Sequence, residues 1–230
     1  MPCALMTKSV TALRTILFDL DGTLADTASD IAYALNTLLE QEGRPALPLE
    51  TLRSLVSQGT KPMLCLGFDI EAHDPSFEPL RQRLLNIYRA HLTRETRLFP
   101  GMQELLTTLE RRGLNWGVVT NKPAWLAEPL IAELGLAERT ACVVGGDTVA
   151  QSKPHPAPML HACNLAGSEA QQCLYVGDAA NDIKAGKRAG MKTLVALFGY
   201  IPKHEQPHNW GADGMIAQPL DLLDWLDTHA

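Results

Sequence analysis

No stretch of this 230-residue chain approaches the roughly 18 consecutive apolar residues that a membrane-spanning helix requires. The opening segment, MPCALMTKSVTALRT, has no sustained apolar region and no evident cleavage site, so no secretory signal is read in it. The five cysteines (Cys3, Cys65, Cys142, Cys163, Cys173) are odd in number and lack the paired spacing of a metal site, which favours reduced thiols. No internal repeat and no low-complexity tract interrupts the chain. A Gly-x-Gly-x-x-Gly after the first predicted strand is also missing, which removes support for a nicotinamide dehydrogenase. Basic charge is scarce: the formal net charge of −6 excludes a chain-wide nucleic-acid footprint. It does not exclude an anionic substrate, because local lysines and a bound metal reverse the field inside a cleft. These absences predict a cytoplasmic protein with neither membrane nor nucleic-acid partners. What remains is ordinary globular material, 46% hydrophobic and 20% charged, long enough for one core domain carrying an insertion.

Short apolar runs suited to buried strands recur at Thr15–Leu20, Asn115–Thr120, Cys142–Gly145, Cys173–Gly177 and Thr193–Leu197. Helical patterns lie between them. Met102, Leu105, Leu106 and Leu109 share one face, and Leu126, Leu130, Ile131 and Leu134 another; Ala185 and Ala189 belong to a third pattern. Strands alternating with helices predict a parallel, Rossmann-like α/β sheet covered on both faces. One interval breaks the alternation. From about Thr27 to Glu95 the pattern is helical, with stripes at Ile31, Ala34, Leu35, Leu38 and Leu39, and at Leu80, Leu84, Ile87, Tyr88 and His91. Such a block, inserted just after the first strand, reads as an all-helical cap spanning 27–96 over a core of 1–26 and 97–230. Its expected hinges are Leu24–Asp26 and Thr96–Pro100. The alternative is that these helices extend the main core.

The segment DLDGTLADT, Asp19 to Thr27, stands where the first strand ends. Asp19 and Asp21 would point to opposite faces of a continuing strand, but Gly22 breaks it, and a turn there can bring both carboxylates into one mouth. A parallel sheet places its ligand crevice at these carboxyl ends. The competing explanation is a solvated turn that caps the next helix.

At these residues the sequence resembles the haloacid dehalogenase superfamily, whose phosphatases carry Asp-x-Asp-Gly-Thr here. Three further signatures follow in order. WGVVT ends at Thr120 with Asn121 next; Lys153 lies in SKPHP; and Gly177-Asp178-Ala-Ala-Asn181-Asp182 supplies an acidic pair. The resemblance covers nearly the whole chain and implies a Mg²⁺-dependent phosphatase for a small phosphomonoester, with an aspartyl-phosphate formed on Asp19. Two anions repel, so an attack by carboxylate on phosphate needs cations. Asp19 and Asp178 are hard oxygen donors suited to Mg²⁺, and in the family the backbone carbonyl matching Asp21 is a further ligand. Lys153 supplies positive charge; Thr120 and the amides near Asn121 can bind phosphate. Asp21 is the expected general acid, then general base. Asp182 and Thr23 are expected behind these groups, with Asp182 orienting Lys153 or metal waters.

The substrate is set by the cap. The overall pattern fits phosphoglycolate phosphatases. WGVVTNKP (Trp116–Pro123), AEPL (Ala127–Leu130), LGLAER (Leu134–Arg139), Gly199–Ile201 and Asn209–Asp213 carry a closer resemblance to N-acetylmuramic acid 6-phosphate phosphatases of cell-wall recycling. In SQGTKPM, a glycine turn precedes a short helix, making Gly59, Thr60 and Lys61 candidate substrate contacts; Lys61 is suited to a substrate carboxylate. His155, His161, His204 and His208 form no recognisable metal cluster, while Trp125 and Trp225 are expected in helix packing. A sugar-phosphate mutase uses the same two aspartates and is the nearest rival. A non-catalytic phosphate-binding module is the rival of another class. The sequence does not specify an oligomeric state.

Overall fold

The computed structural model describes residues 12–229. Cys3 and most of the segment read for a signal lie outside the described residues. In chain order β1 (Thr15–Phe18) and β2 (Ala25–Asp26) precede four helices, α1 (Ala28–Gln41), α2 (Leu49–Val56), α3 (Thr60–Phe68) and α4 (Phe77–Arg89). The chain then runs through β3 (Arg97–Leu98), α5 (Met102–Arg111), β4 (Asn115–Val119), α6 (Ala124–Glu133) and β5 (Val143–Val144). It closes with α7 (Ala157–Leu165), β6 (Cys173–Gly177), α8 (Ala180–Ala189), β7 (Lys192–Ala196), β8 (Gly214–Ile216) and α9 (Asp221–His229).

Six strands form one parallel sheet in the order β5-β4-β1-β6-β7-β8. The expected α/β class and parallel sheet are what the structure has. β1 is the centre, pairing Ile16 with Trp116 on one side and Leu174 on the other. Side chains alternate across it as a strand requires. Ile16 and Phe18 enter the larger core with Leu105, Leu130 and Leu222, while Leu17 enters the other with Val119, Met159 and Tyr175. Because β4 and β6 flank β1 while their sequels run outward in opposite directions, the strand order reverses at β1. That reversal opens a crevice at the carboxyl ends of β1 and β6.

The helical interval folds over that crevice. In α1, Ala34, Leu35, Leu38 and Leu39 are fully buried, and α4 buries Leu80, Leu84, Leu85 and Tyr88 against them. Each such leucine contributes about 1.5–3 kcal/mol relative to an exposed side chain. Three members of the expected stripes differ, Ile87 being half-buried on α4. Ile31 is half-buried and lines a cavity, and His91 lies beyond α4, edge-on to Tyr33 at 5.1 Å. The two expected hinges pair with each other: β2 and β3 form an antiparallel ribbon, Ala25 opposite Leu98. Asp30, wholly buried in the first turn of α1, locks the return chain by accepting from the Glu95 and Thr96 amides and the Thr96 hydroxyl at 2.7–3.0 Å. Trp125 is a correction: it is 39% exposed on α6, so it does not serve the helix packing expected of it. No helix among the described residues is long and apolar enough to cross a membrane.

Candidate active site

The turn after β1 is built by backbone bonds before any side chain acts. The Asp19 amide continues the ladder to the Val176 carbonyl, and the Leu24 and Ala25 amides then fold back onto the Leu20 carbonyl at 3.1 and 2.9 Å. Gly22 makes the reversal with φ of 83°. A Cβ there would overlap Asp178 Oδ2 and lie 2.8 Å from the Tyr200 ring, so this glycine serves both conformation and close approach. The turn places Asp19 and Asp21 on the wall of one cavity.

Asp19 is 7% exposed. Its Oδ1 accepts from the Leu20 amide at 2.8 Å and lies 2.9 Å from Lys153 Nζ. Lys153, itself 4% exposed, also contacts Asp182 Oδ1 at 2.7 Å, the Val119 carbonyl at 3.0 Å and the Tyr175 hydroxyl at 2.9 Å. The turn carrying it is fixed by a reciprocal pair: the Lys153 amide donates to Asn121 Oδ1, and Asn121 Nδ2 donates to the Lys153 carbonyl. Asn121 thus works through its side chain on Lys153. Thr120 is buried on the cavity wall, its hydroxyl oxygen accepting from the Lys122 amide at 3.2 Å.

Asp178 follows β6. Its Oδ1 accepts from the Thr23 hydroxyl at 3.0 Å; its Oδ2 accepts from the Ser57 hydroxyl at 2.7 Å and the Tyr200 amide at 2.8 Å. Carboxylate oxygens of Asp19, Asp178 and Asp182 lie within 4.8 Å of one another, all three residues buried. Burial first, then the neighbouring carboxylates against the opposing pull of Lys153, pushes Asp19 up to about 7. Burial and Asp182 push Asp178 up to about 6. Burial alone would lower Lys153, but Asp182 and Asp19 outweigh it and hold the ammonium charged. Three clustered carboxylates against one ammonium, all oxygen donors, fit a hard divalent cation. Both Asp182 oxygens are engaged, Oδ1 by Lys153 and Oδ2 by the Ala179 amide. Asp178 by contrast accepts only from neutral hydroxyl and amide donors, and Asp19 Oδ2 accepts from no group among the described residues, so Asp19 and Asp178 are the carboxylates suited to hold the ion, with Asp182 behind them.

The cavity above encloses about 290 Å³ between this floor and the helical interval. Gly59, Thr60 and Lys61 all line it; Gly59 has φ of 84° and starts α3. His155 is not on its wall, and its Nδ1 accepts from the Ala157 amide. Sequence reasoning missed four residues here: Ser57 and Lys122, which meet Asp178 and Asp21, Tyr88, whose hydroxyl meets Lys122, and Arg81, on the cavity wall. Their one available signal was polarity at otherwise apolar or loop positions, because their partners are remote in sequence.

The model of the haloacid dehalogenase-like hydrolase family matches residues 16–196. An N-acetylmuramic acid 6-phosphate phosphatase of Pseudomonas aeruginosa is 41% identical over 215 residues, covering 94% of this chain and 95% of that protein. A phosphoglycolate phosphatase of Xanthomonas campestris pv. campestris is 43% identical over 213 residues, covering 92% and 95%. The crystal structure of a predicted phosphoglycolate phosphatase from Haemophilus somnus superposes with a TM-score of 0.81 at 28% identity, covering 93% of this chain and 97% of that one.

Proposed function

This chain belongs to the haloacid dehalogenase-like hydrolases and is a phosphatase, and we propose that it hydrolyses a small phosphomonoester through an aspartyl-phosphate on Asp19. The observation that carries this is Asp19 itself, a buried carboxylate at the mouth of β1 held by Lys153 at 2.9 Å on the cavity wall. A carboxylate oxygen of Asp19 attacks phosphorus, the ester oxygen leaves, and Asp21 gives it a proton. Asp21 then takes a proton from the water that attacks the phosphoaspartate, which regenerates Asp19 and releases phosphate. Lys153 holds the nucleophile, and Thr120 with the amides of its turn binds phosphoryl oxygens. Mg²⁺ would be held by Asp19, Asp178 and the Asp21 carbonyl, supplying positive charge to offset the anionic substrate. Residues 27–96 act as the cap over a core formed by the rest, and cover the site from water.

The substrate we propose is N-acetylmuramic acid 6-phosphate, the compound named for the Pseudomonas relative. The cavity supports it: Ile31, Val56, Met63, Leu84 and Leu126 give it apolar walls, which suit the methyl groups of an N-acetyl, lactyl sugar. Lys61 and Arg81 on the same wall supply cations for its carboxylate. Phosphoglycolate is the second reading, carried by the name of the Xanthomonas relative. Phosphate release with Mg²⁺ from both compounds and from hexose phosphates separates them by kcat/KM. The muramic reading expects its ester to be preferred; preference for phosphoglycolate gives the site to the second reading. Undiminished turnover by Asp19→Asn would remove the mechanism, and isomerised product in place of phosphate would make the protein a mutase.

A further inference from the structure

We propose that Lys122 and Tyr88 are positioning residues for Asp21, fixing one carboxylate oxygen so that the other faces the leaving group; this rests on the phosphatase reading above. Lys122 is 8% exposed, and Tyr88, on α4, is 3% exposed. The Lys122 ammonium lies 2.8 Å from Asp21 Oδ1 and 3.1 Å from the Tyr88 hydroxyl, and 4.4 Å from the centre of the Tyr88 ring. The Thr27 hydroxyl donates to the same Asp21 oxygen at 2.6 Å. Oδ1 therefore has two donors, one from the residue after β2 and one from the loop after β4, while Oδ2 accepts from no group among the described residues. Asp21 and Lys122 both line the cavity.

A buried lysine is a costly way to fill space, since a hydrophobic residue of similar volume is often neutral or stabilising. The cost is understandable if the charge does something. Each aspartate of the Asp19–Asp21 pair has its own buried ammonium: Lys153, beyond β5, meets the nucleophile, and Lys122, beyond β4, meets the acid/base group. A proton donor works only from a fixed position within hydrogen-bond reach of the departing oxygen. Two donors on Oδ1 stop the carboxylate rotating and hold Oδ2 toward the cavity. Tyr88 comes from the helical cap, so the anchor of Asp21 is complete only with α4 seated on the core.

The test compares kcat/KM, which covers leaving-group departure, for two classes of ester in the Mg²⁺-loaded protein. One is the alkyl phosphate that the wild type hydrolyses best, whose alcohol needs a proton to leave. The other is p-nitrophenyl phosphate, whose phenolate leaves without one. Lys122→Met should lower the alkyl value by about 100-fold, and the aryl value by roughly a tenth of that factor. Tyr88→Phe keeps the ring and deletes one hydroxyl, so it should lower the alkyl value roughly two- to ten-fold with the aryl value less affected. Equal losses on both esters overturn the proposal, making Lys122 a phosphate holder or a support of the fold; so does no loss on either. If Lys122→Met does not fold, Tyr88→Phe decides by the same ratio. A wild type that releases phosphate from neither ester overturns the phosphatase reading, and this inference with it.

Discussion

Lys153 shows how much one side chain holds here. It is buried between Asp19 and Asp182, 2.9 and 2.7 Å from their oxygens. Lys153→Met would leave two unpaired carboxylates facing each other, and breaking a buried pair in this way costs about 3–5 kcal/mol. Urea unfolding of chelator-treated protein should show that loss. Lys153→Met combined with Asp182→Asn should recover part of the stability and none of the turnover; full recovery of turnover would mean that Lys153 serves the fold alone. The aspartates divide differently. In the proposed site Asp178 would offer its carboxylate to the cation and Asp21 only its carbonyl, so calorimetry should find Mg²⁺ affinity lowered far more in Asp178→Asn than in Asp21→Asn. Equal losses would contradict that division. Asp19 and Asp21 were legible from a strand end before a glycine turn, and Lys153 and Asp178 from the family resemblance that their motifs carry. Lys122 and Ser57 were not. Their partners are 101 and 121 residues away, and nothing local marks a loop lysine or serine as facing an aspartate.

Elements explain which parts of the fold the sequence announces. β1, β4, β6 and β7 are continuous apolar runs because both faces of the sheet are covered, and such runs stand out. β8 does not: it is a three-residue edge strand beginning at Gly214, with Met215 47% exposed. The segments expected as hinges stand out as breaks in pattern, yet their pairing as β2 and β3 is a contact between segments some 70 residues apart and has no local signature. The start of α3 is the element proposed to set specificity. The turn at Gly59 puts Lys61 on the cavity wall, so Lys61→Ala should lose a charge-assisted hydrogen bond of about 1.5–3 kcal/mol with a carboxylate-bearing substrate. That is roughly ten- to 150-fold in kcat/KM. An aryl phosphate without the carboxylate should lose much less. Equal slowing of both esters would assign Lys61 to closure or fold, and no slowing would place recognition on other cap residues.

At the scale of the whole molecule, the helical interval and the sheet are tied by a residue that follows β7. Thr27 provides no side-chain cap for α1, its hydroxyl being committed to Asp21. The Tyr200 hydroxyl takes that place from 172 and 173 residues away, accepting from the Ala28 and Thr27 amides at 3.0 and 2.7 Å and donating to Asp26 at 2.6 Å. Its own amide meanwhile holds Asp178. One residue thus joins β2, the start of α1 and the candidate metal site, by different atoms. Tyr200→Phe separates them. It deletes the acceptor for two buried amides and the cap of α1, while the backbone bond to Asp178 and the ring under Arg53 at 5.2 Å remain. Stability should fall by about 2–4 kcal/mol, with amide exchange accelerated first at Thr27 and Ala28. Turnover of an aryl phosphate at a temperature where the variant stays folded should change little, because no atom touching the carboxylates of Asp19, Asp21 or Asp178 has been removed. Unchanged exchange at those two amides, with turnover lost, would show instead that the hydroxyl serves the chemistry and that α1 is held by its packing alone.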